Sequence, residues 1–323
     1  MKSFWVYACS FVKSFFEYYR NVRHCRKIDY FHYKELVSVD FDPVKSFKSV
    51  LSYGNYRAIS NIKGHRFNFL RDYLEHGLHF GETIDSVLGM GYINRPFIRN
   101  VYTFSAVRKK TIEHACQELG IKNRKVYAVG PYIKAVNNFY SIDQLSRIKN
   151  KYGRILLVYP VHSTRDNAKD YDIVEFIEKI NEIKSHFQSV FVCMYWQDIY
   201  SYPQYIDAYL KQGFIIVSNG HSSDPMFLSR QKDLIMLSDM MMTNSVGTHI
   251  GYSICLDRPV YMVGSPFDKN GKPLFVDGFV EESQMFFDVF KDFDFEIKDK
   301  QIQLIEKYWG RWKENQIIKC GTE

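Results

Sequence analysis

The residues best suited to chemistry form a turn of small polar residues, Asn244-Ser-Val-Gly-Thr248, directly after the apolar run 240–243. If a helix begins at this turn, its first backbone N–H groups and its dipole favour a bound anion. A glycine lets a phosphate approach the backbone, and flanking hydroxyls can complete its shell. We therefore predict that Ser245, Gly247 and Thr248 bind a donor phosphate, although the same residues would also suit an N-cap and a tight turn.

A second polar group follows the apolar run 154–159, which is closed by Pro160. Arginine presents a fork of donors to phosphate oxygens, and a protonated histidine can donate to a departing oxygen. These chemistries predict that His162 faces a leaving group and that Ser163 and Arg165 bind phosphate. The alternative is a solvated loop.

Three further residues are candidates for nucleoside or sugar contacts, namely His221, Asn244 and His249. His221 lies in a loop whose residues Ser223 or Asp224 could simply cap a helix, and both interpretations stay open. Asn244 and His249 could equally be buried side chains with satisfied hydrogen bonds.

A possible base stands in the first half of the chain, where Glu75 and His76 lie between apolar segments. Either could take the proton of an attacking hydroxyl, and a structural role is equally compatible with the pattern. No Asp-x-Asp motif stands at a strand end, so we predict no metal and no cofactor beyond a nucleotide-sugar substrate.

Five apolar runs alternate with helical patterns after residue 150, which predicts a doubly wound parallel sheet. The expected strands are 154–159, 189–194, 214–218, 240–243 and 259–263. The first half is less regular: strands are expected at 35–41, 56–60, 101–104 and 125–129, and a helix at 108–119. Ligands bind at the carboxyl ends of strands in such sheets, where the candidate residues fall.

Composition limits the class of protein. The 323 residues are 46% hydrophobic and 24% charged, as in globular proteins, and the net charge is +7. That charge suits an enzyme of anionic substrates or a membrane-surface protein, and the lack of a compact Lys/Arg block disfavours nucleic acid. Six scattered cysteines fit reduced thiols in the cytoplasm, and no apolar span of about 20 residues predicts a transmembrane helix.

The predicted organisation has four parts. They are an aromatic and basic N-terminal helix at 1–30, an acceptor-side α/β domain at 31–145, a nucleotide-sugar-binding domain at 146–275 and a helical tail at 276–323. The N-terminal helix would either pack on the N-terminal core, which we favour, or rest on anionic lipid.

Several phrases of the chain resemble GT-B type glycosyltransferases that build bacterial capsule and O-antigen polysaccharides. The phrases are Glu75-His-Gly77, Gly130-Pro-Tyr-Ile133, Leu156-Leu-Val-Tyr-Pro-Val-His-Ser163, Thr243-Asn-Ser-Val-Gly-Thr-His249 and Arg258-Pro-Val260. The last two are similar to motifs of polyglycerol-phosphate polymerases and of bacterial sialyl- and polysialyltransferases. Glu75-His-Gly77 is similar to the tryptophan-His-Gly motif of the polymerases, with Glu75 in place of the tryptophan. Val161-His162 follows a proline where the sialyltransferases have His-Pro.

The resemblance implies two Rossmann-like domains facing a cleft, with C-terminal helices packing back. It also implies transfer of a sugar from a nucleotide-sugar donor to a glycan or lipid-linked acceptor, with His76 as base, His162 facing the leaving group, and Ser245 and Thr248 holding phosphate. Peripheral contact with the inner membrane is a further option. The alternatives are a nucleotide-sugar 2-epimerase and a non-catalytic polysaccharide-assembly protein.

Overall fold

The structure is a computed structural model that describes most of the chain. The described residues are 19–39, 41, 52–63, 67–68, 70–75, 77–80, 83–88, 90, 93, 95–162, 171–264 and 280–312.

The first half of the chain contains a small parallel sheet in the order β1-β2-β3. Its strands are β1 (Asp72–Leu74), β2 (Asn100–Thr103) and β3 (Lys125–Ala128), and the helices of this half are α1 (Tyr33–Ser38), α2 (Asn55–Lys63), α3 (Asp85–Leu88), α4 (Ala106–Glu118), α5 (Tyr132–Ala135) and α6 (Ile142–Tyr152). The Ser105 side chain caps α4 by accepting a hydrogen bond from the Arg108 backbone N–H at 3.2 Å. The predicted strands at 101–104 and 125–129 and the helix at 108–119 are therefore confirmed.

Two predicted strands of this half are wrong, because both segments are helical. The segment 35–41 overlaps α1, whose adjacent residues Leu36 and Val37 are buried in different clusters. The segment 56–60 lies inside α2, where Asn55, Ala58 and Ile59 are buried at the i, i+3, i+4 spacing of a helix face. A segment of five to seven residues is too short to distinguish the hydrophobic period of a helix from that of a strand.

The second half forms a five-stranded, wholly parallel sheet in the order β6-β5-β4-β7-β8. Its elements are β4 (Ile155–Tyr159), α7 (Ile173–Ile183), β5 (Ser189–Cys193), α8 (Trp196–Ser201), α9 (Pro203–Lys211), β6 (Ile215–Val217), α10 (Phe227–Leu237), β7 (Met240–Thr243), α11 (Thr248–Cys255), β8 (Val260–Met262), α12 (Val280–Phe290) and α13 (Asp299–Trp309). Every residue of β4 and of β7 is buried, as expected where helices cover both faces. All five predicted strands are confirmed.

The C-terminal helices pack back across the molecule, as predicted. The indole ring of Trp309 lies directly against Gly251 of α11, where any side chain would clash. The same ring stacks on Phe104, which follows β2, with centroids 6.2 Å apart. The predicted fold class, two parallel α/β sheets facing a cleft with packed C-terminal helices, is confirmed.

The N-terminal segment packs on the second sheet. The Ser218 backbone N–H donates to the Tyr30 carbonyl at 3.0 Å, and buried Arg230 donates to the carbonyls of Cys25 and Ile28. Residues 19–25 are helical, whereas 1–18 lie outside the described residues. Val37 of α1 also joins the second sheet's core, and the boundary at residue 31 stays a prediction.

Candidate functional site

A cavity of about 400 Å³ lies between the two sheets. The loops that follow β4, β5, β6 and β7 form one side, and the segment 77–80 after β1 forms the other. The strand order reverses between β4 and β7, which is the switch point where open α/β sheets bind ligands. The described residues of its wall are Tyr53, Asn55, Gly77, Leu78, Phe80, Tyr159, Pro160, His162, Cys193, Met194, Tyr195, Asn219, Gly220, Phe227, Leu228, Gln231, Ser245, Val246, Gly247, Thr248, His249 and Tyr252.

The predicted phosphate turn lies on this wall. Helix α11 begins at Thr248 after Gly247, and no side chain caps its first turn. The Thr248 hydroxyl oxygen accepts a hydrogen bond from the Leu78 backbone N–H at 3.0 Å, so it connects the two sides of the cavity and can still donate its own proton. Ser245 is buried in the same wall. An uncapped helix start beside a cavity is suited to an anion.

Gly247 is required by the packing of the turn. Its backbone is extended, with φ of −171°, so the requirement is not one of backbone freedom. A Cβ at this position would lie 2.8 Å from Cε1 and 2.9 Å from Nδ1 of His249. Glycine therefore lets the imidazole lie against the turn.

His249 is a neutral imidazole in the cavity wall. Its Nε2 lies 3.1 Å from the Thr243 hydroxyl, and its ring stacks on Tyr159 with centroids 5.1 Å apart. Burial, together with the nearby charge of His162, lowers the pKa of His249 to about 3. The ring can therefore exchange hydrogen bonds with a ligand but does not supply a positive charge near neutral pH.

His162 lies at the open end of the cavity beyond β4. It is exposed, and its ring is 4.4 Å from the ring of Tyr195, centroid to centroid. Ser163 and Arg165, the predicted phosphate ligands beside it, lie outside the described residues. The structure thus brings His162, Ser245, Gly247, Thr248 and His249 to one cavity.

Asn244 joins two loops beside the cavity. Its side-chain oxygen accepts a hydrogen bond from the Val161 backbone N–H at 2.7 Å, and it is not part of the described cavity wall. This bond fixes the loop after β4 against the loop after β7. The predicted sugar contact of Asn244 stays a prediction.

His221 is not among the described residues of the cavity wall, and its nucleoside contact stays a prediction. Its ring packs on Trp196 at 4.1 Å and on Phe41 at 5.5 Å between centroids. Its Nδ1 accepts the Ser223 backbone N–H at 3.0 Å, which orders the turn before α10. The adjacent Gly220 lines the cavity in its place.

Glu75 is buried and paired, and its role as a base stays a prediction. Arg108 donates to both of its carboxylate oxygens at 2.8 to 3.1 Å, and the Thr103 hydroxyl donates at 2.7 Å. Burial alone would raise the pKa of Glu75, but the charges and hydrogen bonds of His79, Arg108 and Thr103 outweigh burial and lower it. A carboxylate held in this way is a poor proton acceptor. His76 lies outside the described residues.

Sequence reasoning missed Tyr53, Tyr252 and Cys193, which also line the cavity. Tyr252 lies one helical turn after Thr248, so its i+4 spacing was the available signal; its buried hydroxyl has no hydrogen-bond partner among the described residues. Tyr53 has a positive φ of 60° and gave no signal, since tertiary packing alone brings it to the cavity. Burial raises the pKa of the Cys193 thiol to about 12, so it is not a nucleophile.

The described part of the chain has neither a metal-binding cluster nor a membrane-spanning helix. There, no group of three or more His, Cys, Asp or Glu side chains is arranged to hold a metal ion. Metal independence stays a prediction. The described helices include none with the length and apolar character needed to span a bilayer.

Comparison with known proteins gives only distant similarity. No family model and no curated protein sequence matches the chain. Among solved structures, it is similar to MnaA of S. aureus with UDP (13% identity, 58% of this chain and 50% of that chain, TM-score 0.34). It is also similar to the UDP-GlcNAc 2-epimerase of Methanocaldococcus jannaschii (13%, 68% and 57%, TM-score 0.35) and to Anabaena HepE with UDP-glucose (13%, 78% and 69%, TM-score 0.33). The chain thus spans about half the length of the first two, and similarity at this level assigns it no substrate.

Proposed function

We propose that the protein is a glycosyltransferase that moves a sugar from a nucleotide-sugar donor to a surface-polysaccharide acceptor without a metal ion. The observation that carries the proposal is the uncapped start of α11 at Gly247 and Thr248, in the wall of a cavity of about 400 Å³ at the sheet's switch point. That volume lies within the range of small-molecule sites, about 300–1,000 Å³.

In this proposal the donor diphosphate binds the first turn of α11. Backbone N–H groups and the Thr248 hydroxyl donate to its oxygens, and the helix dipole stabilises the negative charge that grows on the departing nucleotide. His162, at the mouth of the cavity, donates a proton or a hydrogen bond to the leaving phosphate. Aromatic rings such as Tyr195, Tyr53 and Phe80 provide faces for a base or a sugar.

The acceptor would enter from the side of the first sheet, next to the segment 77–80. Its hydroxyl must lose a proton, and the resemblance assigns that step to His76. No Asp or Glu is among the described wall residues, so the described part of the cavity supplies no carboxylate for that step. We further propose a cytoplasmic protein in peripheral contact with the inner membrane, where a lipid-linked acceptor would be found.

A nucleotide-sugar 2-epimerase is the alternative in enzyme class. Such an enzyme needs groups that remove and return a proton on the sugar, and the carboxylates expected for that task are missing from the described wall. A non-catalytic assembly protein would keep nucleotide affinity but show no turnover. The products formed from the donor distinguish these alternatives: an epimerase changes the sugar of the donor, and an assembly protein leaves the donor unchanged.

The test is a thermal-shift screen with UDP, CMP, GDP and CDP, with and without a chelator. A ligand at 100 times its dissociation constant stabilises the native state by about 2.7 kcal/mol. For a chain of this size that corresponds to a rise in melting temperature of roughly 4 °C. One nucleotide should give this shift in the presence of chelator, and Thr248→Val should reduce it. The proposal fails if no nucleotide stabilises the wild-type protein.

A further inference from the structure

The amino-terminal ends of β1, β2 and β3 lie at the edge of the first sheet that faces away from the cavity. This edge exposes basic and apolar side chains together. The backbone N–H of Arg99 donates to the Arg71 carbonyl at 2.7 Å, and that of Lys125 donates to the Arg99 carbonyl at 2.8 Å. The loops that enter β1, β2 and β3 are therefore hydrogen-bonded side by side. We define the basic edge as Leu70, Arg71, Arg95, Phe97, Arg99, Lys122 and Lys125, all of which are exposed.

Two large apolar side chains project from this edge. Phe97 is 75% exposed and Leu70 is 72% exposed, the highest values among the large apolar residues that the structure describes. A single exposed apolar residue needs no explanation. Here an aromatic and an aliphatic residue lie on neighbouring loops. Leu70 lies just before β1 and Phe97 just before β2, and the first residues of these two strands, Asp72 and Asn100, are paired.

Positive charge surrounds the two apolar side chains. Arg71, Arg95, Arg99 and Lys125 make no ion pair with any described residue, and the loops and strands at 70–75, 95–100 and 121–128 expose no carboxylate. The acidic residues there are buried, namely Asp72, which pairs with Lys63 at 2.6 Å, and Glu75. Within the part of the chain that the structure describes, these cations of the edge have no acidic partner.

The cations are held on a fixed frame rather than on a free loop. Arg124 donates to the carbonyls of Ile93 and Arg95 at 3.1 and 3.0 Å, which ties the loop before β2 to the loop before β3. Side chains on such a frame can meet a flat surface together, with little backbone ordering required on contact.

We propose that the basic edge docks the protein on an anionic lipid bilayer. Phe97 and Leu70 enter the headgroup region, where aromatic and aliphatic side chains leave water, and the surrounding arginines and lysines lie against lipid phosphates. A nucleic-acid backbone would satisfy the cations but would leave the two apolar side chains in water. This inference rests on the peripheral membrane contact in the proposed function and is independent of its catalytic step.

The experiment is co-sedimentation of the full chain with vesicles of phosphatidylcholine, alone or mixed with phosphatidylglycerol. We expect binding to the mixed vesicles that weakens with added salt, because exposed charges are screened. The double variant Leu70→Ser, Phe97→Ser should lower the apparent affinity by at least about tenfold, since both apolar contacts are removed. Arg71→Gln and Arg99→Gln should each lower it by about fivefold.

Matched controls lie elsewhere on the surface. Ile142→Ser with Val174→Ser removes two apolar side chains that are each 63% exposed, and Lys211→Gln removes an exposed cation. Both controls should bind vesicles as the wild type does. All variants should keep the wild-type melting temperature and its shift with nucleotide, so a failure here is distinguishable from a failure of the donor site.

Three results would overturn the inference. One is equal binding to the two kinds of vesicle, and another is full binding by the Leu70→Ser, Phe97→Ser variant, which would place the contact on another segment. The third is binding to duplex DNA with none to mixed vesicles, which would assign the edge to nucleic acid.

Discussion

The two sheets differ in how strongly they are built, and the difference separates the two halves of the site. In the second sheet, β4 and β7 are buried along their whole length and hold the loops that carry His162 and Thr248. The first sheet has strands of three or four residues and relies on buried ion pairs such as Glu75 with Arg108. Buried ion pairs occur beside both sheets, since Arg230 also pairs with Asp224 beside the second sheet, so the two sheets differ chiefly in the number of their strands.

The largest effect is expected from breaking the ion pair beneath the first sheet. Glu75→Ala leaves the buried guanidinium of Arg108 without its carboxylate, which should lower the free energy of unfolding by about 3–5 kcal/mol. Urea denaturation measures the change. As a control, Lys109→Ala breaks the exposed pair with Glu113 on the same helix and should cost about 0.5 kcal/mol or less.

Stabilisation of the Glu75→Ala protein by nucleotide is a second measurement. If the donor side is built independently, the folded Glu75→Ala protein should still be stabilised by nucleotide to the wild-type extent. A loss of unfolding free energy below about 1 kcal/mol would contradict the structural role that we give this pair.

The next effect concerns catalysis. Thr248→Val removes the hydroxyl that would donate to the donor phosphate and that accepts from Leu78 across the cavity. Loss of one such donor typically slows the chemical step by about 100-fold or more. We expect this loss in transfer rate at subsaturating donor, with His162→Ala giving a comparable loss and an unchanged circular dichroism spectrum.

The matched control is Thr111→Val, since that hydroxyl bonds only to the Val107 carbonyl of its own helix among the hydrogen bonds found for it. It should keep the wild-type transfer rate. Wild-type rates for both Thr248→Val and His162→Ala would show that the site assignment is wrong.

The two sheets also differ in how well the sequence predicts their elements. The strands of the second sheet gave clear signals because both faces are covered, so each reads as a continuous apolar run such as 155–159. Parallel topology then brought the loops after β4 and β7 together, so the predicted residues His162, Ser245, Gly247 and Thr248 line one cavity. Helix α2 gave a misleading signal, since its burial at i, i+3 and i+4 depends on partners far along the chain.

Two predicted site residues have side chains suited to ligands but already make hydrogen bonds within the fold. Asn244 and Glu75 were selected for chemistry that a strand-end position allows, yet each is occupied by a tertiary hydrogen bond. Tyr53 lies in the cavity because its backbone N–H donates to the Ser222 carbonyl at 2.5 Å, a contact that no local pattern encodes. Sequence pattern finds the edge of the sheet, and tertiary packing decides which side chains there face the ligand.

A smaller effect is expected at Gly247. In Gly247→Ala, the new Cβ would lie 2.8 Å from the His249 ring, which must shift toward the cavity. We expect nucleotide affinity to fall by roughly tenfold, the equivalent of about 1.4 kcal/mol, as measured by isothermal titration calorimetry. Gly120→Ala is the control: its φ of +64° makes alanine unfavourable there, but it is remote from the cavity, so stability should fall and affinity should not.

The smallest effect tests how the chain between the two sheets is attached. Asp233 of α10 accepts the backbone N–H groups of Phe139 and Tyr140 at 3.2 and 2.8 Å. Burial outweighs these hydrogen bonds and raises the pKa of the Asp233 carboxyl from 3.8 to about 7. The folded protein therefore holds a proton that the unfolded chain has already released, and this carboxyl favours folding at low pH.

Its contribution is complete below the unfolded pKa of 3.8 and is lost as the pH rises through about 7. Urea denaturation from pH 5 to pH 8 should show the wild type losing unfolding free energy relative to Asp233→Asn, whose side chain does not titrate. The asparagine variant has one fewer acceptor oxygen for Phe139 or Tyr140, so the pH slope and not the absolute stability is the measure. Equal slopes for the two proteins would mean that this carboxyl is ionised in the fold, and that the attachment is as polar as the ion pairs of the first sheet.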